Sequence, residues 1–400
     1  MRITRRFADW LERRWVAPSY SGWLLSGLSV FFFIAATNTL AGWLYVISGI
    51  GIALLAIAAF LSSRTLHHLQ LRRAPIHPVS AGDHLTLELI VENRSSQPKT
   101  LLQVFDALPE RLGGTVKTAI EAIPPQRSHH WIYACATTRR GIYRWETLQL
   151  RTANPLGLFW CRRSHALTAR AIVYPTVLPL VQCPLIDFMG QDDSVLLNSD
   201  RRAQSANEGL TRSMRPYRWG DPTRLVHWRS SARYGELRVR ELELFTGGQE
   251  LVIALDSGAL WRSLPPDPAM PLSTSLPSEA FEQAVIAAAS LYFYAHQRSL
   301  RVKLWTAATG LIQGQQAVLE ALAATQSGEV GTASLPTQPM LWLSQNPHSL
   351  ALLPRGSRWL LWEGDELISA PDPSGRRSPG VVVRSQSPLQ LQLQQHPSGE

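Results

Sequence analysis

Hydrophobic positions follow different rules in successive parts of this chain. Residues 20–37 (YSGWLLSGLSVFFFIAAT) and 40–61 (LAGWLYVISGIGIALLAIAAFL) are apolar and carry no charge. At ~1.5 Å of rise per residue, each run is long enough to cross a hydrocarbon core of about 30 Å. Together they are too long for one helix, and Asn38-Thr39 offers a polar hinge, so the pattern predicts a two-helix transmembrane hairpin.

Beyond the hairpin the period drops to two. In HLTLELIVEN, Leu85, Leu87, Leu89 and Val91 alternate with polar neighbours and end on an Asn93-Arg94-Ser95-Ser96 turn. TLLQVFDAL, HHWIYACAT and GIYRWETLQL continue as short strands, and Asn154-Pro155-Leu156-Gly157 turns the chain into another. Strands without helical stretches between them predict an antiparallel β-sandwich over 75–170. His129 and His130 are adjacent, so on a strand they point to opposite faces and do not form a metal pair.

The pattern changes again at residue 251. LVIALD is a continuous apolar run, as in a strand buried on both faces. A helix follows, with Phe281, Val285, Ala288, Ala289 and Tyr292 on one face. Strand RVKLWTA, helix QQAVLEALAAT and strands PMLWLSQ and RWLLWEG complete an α/β pattern over 251–370. The expected organisation is therefore a basic N-terminus (1–19), spans at 20–37 and 40–61, a β-sandwich (75–170), a charged region (171–250) and an α/β domain. A Pro-, Ser- and Gln-rich tail (371–400) is expected to be disordered.

Charge adds orientation. The chain carries a net +9, with Arg2, Arg5, Arg6, Arg13 and Arg14 before the hairpin and Arg64, Arg72 and Arg73 after it. Positive-inside logic puts both ends in the cytoplasm, with the soluble parts on that side of the inner membrane. Cys135, Cys161 and Cys183 are odd in number and far apart, which predicts small buried hydrophobes.

The most unusual stretch is MRPYRWGDPTRLVHWRSSARYGELRVRELE, residues 214–243. Asp221 followed by Pro222 reads as a helix start, an N-cap before a preset first turn. Leu225, Trp228 and Ala232 then form one apolar stripe, Gly235 takes the C′ position, and ELRVRELEL reads as extended with a phase slip between Val239 and Leu242. Helix building leaves Arg215, Tyr217, Arg218, Arg224, His227, Arg233 and Arg238 for other work.

Arg215, Tyr217, Gly220-Asp221, Arg224, Trp228, Ser231-Ala232-Arg233, Gly235 and Leu237, with their spacing, closely resemble the signature of the DUF58 family of bacterial proteins. The resemblance extends to the membrane hairpin, to Arg140-Gly141-Ile142-Tyr143 and to the NPLGLF element at 154–159, where Asn154 stands in place of a frequent Asp. It implies a C-terminal von Willebrand A-like domain and a MoxR-type AAA+ ATPase as partner in protein maturation or envelope processes. It supplies no catalytic residues; the signature together with the residues that helix building leaves over gives the candidate interaction set Arg215, Tyr217, Arg218, Gly220, Asp221, Arg224, His227, Trp228, Arg233 and Arg238.

The chemistry candidates narrow this further. Von Willebrand A domains bind a divalent cation through D-x-S-x-S; here Asp256 is in place, but Gly258 and Leu260 fill the serine positions. Mg²⁺ at Asp256 is thus the weaker alternative, and the expectation is no cofactor. No G-x-S-x-G, H-E-x-x-H or P-loop is present, and His227 has no identifiable partner, so no enzyme is expected. Trp219 and Trp228 among arginines could stack on bases, yet Glu236, Glu241 and Glu243 oppose that, and nucleic acid is not the expected partner. The resulting expectation is a membrane-anchored, non-enzymatic adaptor. Divalent-cation-dependent ligand binding and anionic-polymer binding are its alternatives.

Overall fold

The structure is a computed structural model that describes residues 15–189, 210–217, 226–243, 250–261, 278–331, 333–363, 379–384 and 386–396, with backbone alone for 210–215 and 240–243. The chain divides into two compact units between Tyr174 and Pro175.

In the first unit, strand β1 (Ala17–Pro18) leads into helices α1 (Tyr20–Thr39) and α2 (Gly42–Thr65). Both are long and apolar enough to cross a membrane, and only 17% of each apolar window is buried, unlike the core helix of a soluble domain. Small residues line their contact: the Ser48 hydroxyl donates to the Ser29 carbonyl at 2.9 Å, and any side chain at Gly51 would collide with Ser29 Oγ. The expected hinge at Asn38-Thr39 is corrected: both lie inside α1, and the chain reverses at Leu40 (φ 52°) and Ala41. The Thr37 and Thr39 hydroxyls satisfy themselves on carbonyls of the preceding turn, so their polarity does not break the helix.

The β-region contains β2 (Leu69–Arg73), β3 (Val79–Ser80), β4 (His84–Asn93), β5 (Lys99–Ala107), β6 (Thr115–Ile123), β7 (Ser128–Ala136), β8 (Gly141–Thr152) and β9 (Phe159–Tyr174). One sheet has the order β1-β9-β8-β5-β6, with β3 added parallel to β9, and the other is β2-β4-β7. Apart from β3 the pairing is antiparallel. The alternation read in β4 puts Leu85, Leu87, Leu89 and Val91 fully inside, each stabilising by roughly 1.5–3 kcal/mol. Leu89 and Val91 of one sheet meet Leu102, Val104, Leu148 and Leu150 of the other in a shared core.

The second unit holds α3 (Pro184–Asp187), β10 (Leu210–Pro216), α4 (Trp228–Tyr234) and β11 (Arg238–Glu243) before its α/β part. That part consists of β12 (Glu250–Leu255), α5 (Glu279–Gln297), β13 (Arg301–Thr306), β14 (Gly310–Ile312), α6 (Gln315–Ala324), β15 (Met340–Ser344), β16 (Arg358–Trp362), β17 (Gly380–Val383) and α7 (Leu389–Leu393). The sheet order is β14-β13-β12-β15-β16-β17, parallel except for the β13–β14 edge. The expected α5 face is buried against Ile253, Leu255, Leu304, Leu341 and Leu343.

The tail departs from the disorder expected after residue 370. Gly380–Val383 adds a parallel strand to β16, burying Val381 and Val383. Gln392 then staples the following turn: Arg384 N–H donates to its Oε1 at 2.7 Å, and its Nε2 donates to the Arg384 carbonyl at 2.8 Å. An edge strand of four residues and one buried leucine, Leu393, suffice because the sheet supplies the rest of their contacts.

All three cysteines are free and buried, and burial pushes the Cys183 thiol up to about 12. Native full-length protein is accordingly expected to take up no maleimide at neutral pH, because thiolate and access are both lacking, and to label on all three cysteines in denaturant. Stoichiometric labelling without denaturant would contradict this packing.

Candidate interaction surface

The signature region folds around β11. Strand β10 pairs with it antiparallel, with Arg215 opposite Val239 and Pro216 opposite Arg238. The phase slip expected in β11 appears as a bulge in its partner, between Thr211 and Ser213. The Tyr217 N–H extends the pairing by donating to the Leu237 carbonyl at 2.8 Å. At Val226 the chain bridges Val239, and the His227 N–H donates to the Arg238 carbonyl at 2.8 Å.

Capture of Val226 in this pairing overturns the continuous helix expected from Asp221. The helix begins at Trp228 and its cap is His227, whose Nδ1 accepts from the Ser230 N–H at 3.2 Å. That assigns Nδ1 as the unprotonated nitrogen in this cap. Gly235 does terminate the helix as expected, at φ 72°, a left-handed position where a Cβ is costly. Ser231 ties helix to strand: its hydroxyl donates to the His227 carbonyl at 3.1 Å and accepts from the Arg238 N–H at 2.9 Å.

The outer face of this unit is exposed. Trp228, expected in an apolar stripe facing the core, is 67% exposed, and Ala232 is exposed as well. Tyr234 is 59% and Leu237 46% exposed, and Arg229 and Arg233 stand free of the core beside them. The Arg238 guanidinium stacks on the Tyr234 ring at 4.1 Å, which orients both planar groups, and makes a solvent-exposed bridge to Glu236 at 2.8 Å. Tyr217 and His227 are half-buried. Arg218, Gly220, Asp221 and Arg224 lie outside the described residues, and Arg215 is described by its backbone only. Tyr234 and Leu237 stood outside the candidate interaction set; both are exposed, Tyr234 as the last residue of α4 and Leu237 just past Gly235.

The second candidate, Asp256, sits at the carboxyl end of β12, between β13 and β15, where order reversal opens a crevice in a parallel sheet. The Ser344 hydroxyl donates to its Oδ2 at 2.6 Å, and the Trp261 indole donates to its carbonyl at 2.7 Å. Ser257 is turned the other way, its hydroxyl accepting from the Ala307 N–H at 3.0 Å. Gly258 offers no side-chain oxygen, Leu260 points its apolar side chain into solvent at 81% exposure, and the single carboxylate is engaged by Ser344. This donor set does not fit a divalent cation, which needs several hard oxygens. Among the described residues no group of three His, Cys, Asp or Glu side chains converges as a metal cage.

Burial raises the Asp256 pKa, an effect only partly offset by the hydrogen bonds from Ser344 and the Ala259 backbone. With a raised folded-state pKa, the associated stability is complete below the ordinary value near 3.8 and is lost as pH rises through the folded value. Asp256→Asn keeps an acceptor for Ser344 and removes the buried charge. It should therefore melt above the wild type at neutral pH, with the gap closing as the buffer is taken below that ordinary value. A lower melting point at neutral pH would show that the ionised carboxylate is needed.

No family model matches the chain. An uncharacterized Bacillus subtilis (strain 168) protein, YeaD, is 25% identical over 197 residues, covering 48% of this chain and 46% of that protein, so the chain spans under half the length of this relative. Among solved structures, a metal-bound CARDB domain from Pyrococcus furiosus is 12% identical over 26% of this chain and 91% of its own, with a TM-score of 0.19. A Listeria innocua β-glucosidase in complex with glucose is 11% identical over 26% of this chain and 16% of its own, with a TM-score of 0.17. Scores this low carry no argument about fold or activity.

Proposed function

We propose that this protein is a non-enzymatic adaptor, held in the inner membrane by the α1–α2 hairpin with its soluble units in the cytoplasm, whose α4–β11 surface docks a protein partner. The observation that carries this reading is the exposure of Trp228, Tyr234 and Leu237 along α4 and the turn into β11, in company with Arg229 and Arg233 and with Arg238 stacked on Tyr234. Tryptophan, tyrosine and arginine are the side chains most enriched at binding hot spots, and exposing them without a partner sacrifices burial. The anchoring hairpin is supported by the exposed apolar faces of α1 and α2.

The partner class we assign is a MoxR-type AAA+ ATPase, on the strength of the sequence signature. The second unit is read as von Willebrand A-like. Support comes from a sheet that is parallel except for one edge and whose first strand ends on Asp256. The test is co-purification of the full chain, solubilised in mild detergent, with the MoxR-type ATPase of the same cell. Recovery that depends on Trp228 and Tyr234 supports the reading, and no recovery in any nucleotide state refutes it.

A further inference from the structure

The NPLGLF turn at 154–159 has ordinary turn residues in Asn154, Pro155 and Gly157, but it carries an exposed leucine at its tip. It joins β8 to β9, with Gly157 in the left-handed region at φ 70° and Pro155 and Leu156 exposed, Leu156 by 47%. Tips of turns in water favour Gly, Pro, Asn, Asp and Ser, so Leu156 is the residue that stands out. Neither the β-core nor the turn geometry requires an exposed leucine here.

The turn's backbone contacts explain where it sits. At the start of α1, the Ser19 N–H donates to the Leu158 carbonyl at 2.8 Å and the Ser19 hydroxyl to the Gly157 carbonyl at 2.6 Å, with the Ser21 hydroxyl adding 3.2 Å. At the end of α2, the Ser62 and Thr65 hydroxyls donate to the Asn154 carbonyl at 3.1 and 3.4 Å. The turn therefore grips both ends of the hairpin at once. Gly22 is buried under it, and any Cβ there would strike the Leu158 carbonyl. Strand β1 continues the grip, pairing Ala17 with Trp160 and Pro18 with Phe159.

We infer that this turn lies in the lipid headgroup layer, with Pro155 and Leu156 inserted at the acyl boundary, and mounts the β-unit directly on the membrane surface. The inference rests on the spanning reading of α1 and α2. Turn and helix ends share one level, the level at which a spanning hairpin leaves the hydrocarbon. Pairing of the Asn154, Gly157 and Leu158 carbonyls lowers the cost of bringing this turn up to the edge of the hydrocarbon. Trp15, Tyr20 and Trp23 are exposed around the same end of the hairpin, as interfacial aromatics are. The guanidinium groups of Arg64 and Arg151 lie over the Phe60 and Trp160 rings at 4.8 and 4.0 Å, which holds two cations near this end of the hairpin, where anionic headgroups would attract them.

The test uses the full chain in vesicles of phosphatidylcholine and phosphatidylglycerol, labelled with an environment-sensitive fluorophore at Leu156→Cys. The native thiols are buried and do not compete. Leu28→Cys, exposed in the middle of α1, reports spanning, and Thr138→Cys, exposed beyond the far end of β7, reports solvent. Lipids spin-labelled near the headgroup are expected to quench on the order of half the emission at position 156, as for a group inserted a few ångströms into the interface, while iodide quenches position 138 far more than 156. If position 28 is quenched by deep spin labels but 156 responds to iodide like 138, the hairpin spans and the turn is not in the lipid, which overturns this inference alone. If position 28 escapes deep quenching, the spanning reading falls and the inference with it.

Discussion

Asp106→Ala is expected to destabilise the first unit by about 3–5 kcal/mol, the usual cost of stranding a buried charge. Asp106 is fully buried on β5 and serves three partners. Arg73 reaches its Oδ2 at 2.7 Å, the Tyr133 hydroxyl donates to Oδ2 at 2.6 Å, and the Trp145 indole donates to Oδ1 at 3.0 Å. Burial alone would lower the Arg73 pKa, but the hydrogen bond and charge of Asp106 outweigh it and the net shift is upward. For Tyr133, burial first and Asp106 second both push the phenol upward, so it stays a donor. Alanine at 106 leaves a guanidinium stacked on Trp145, a phenol and an indole without this acceptor. Hydrogen exchange at β4, β5 and β8 in the full chain reads the loss locally, which matters because two units need not unfold together. Pairing Asp106→Leu with Arg73→Met should recover much of it, since apolar replacement removes the stranded charge. An exchange change below ~1 kcal/mol for Asp106→Ala would contradict the buried pair.

The second large effect is on binding. Trp228→Ala should weaken partner affinity by about 2 kcal/mol or more, roughly 30-fold, if the residue is a hot spot. Its side chain is mostly in water, so the same change should leave stability within about 0.5 kcal/mol. Ser231→Ala should behave in the opposite way. It removes the hydroxyl that joins the His227 carbonyl to the Arg238 N–H and loosens the surface before any partner is met. Glu236→Ala should do little, since its bridge to Arg238 is solvent-exposed. This contrast separates a contact residue from a scaffold residue. A Trp228→Ala variant that unfolds, or that binds like the wild type, would contradict the assignment.

Much of the fold was legible in the sequence because its periodicities are strong. The alternation of Leu85 to Val91 and the apolar run of β12 each specify one element, and tertiary contacts agree with both. Failures arose where long-range pairing overrides a local signal. Asp221-Pro222, outside the described residues, carries every local mark of a helix start, yet Val226 is held by β11 and α4 begins only after His227, a cap that local rules do not favour. The tail's composition hides Gly380–Val383 because a short edge strand draws its order from β16 and not from its own propensity. Asp106 was only half legible: it shares parity with Leu102 and Val104 on the buried face of β5, but the partners that make its burial tolerable come from β2, β7 and β8, which no local pattern identifies. At the candidate surface, the arginines and Trp228 stood out by composition, while the pairing of Tyr234 with Arg238 depends on a turn that places ring and guanidinium face to face.

The most direct test of the adaptor reading is titration of the full chain, reconstituted in lipid nanodiscs, with the purified MoxR-type AAA+ ATPase, comparing wild type with Trp228→Ala/Tyr234→Ala. The account predicts saturable binding by the wild type and a loss of at least about 30-fold in the double variant, with hydrogen exchange in β12 and β13 unchanged. Equal affinity for both proteins, or no binding by the wild type with ATP, ADP or neither, would contradict it.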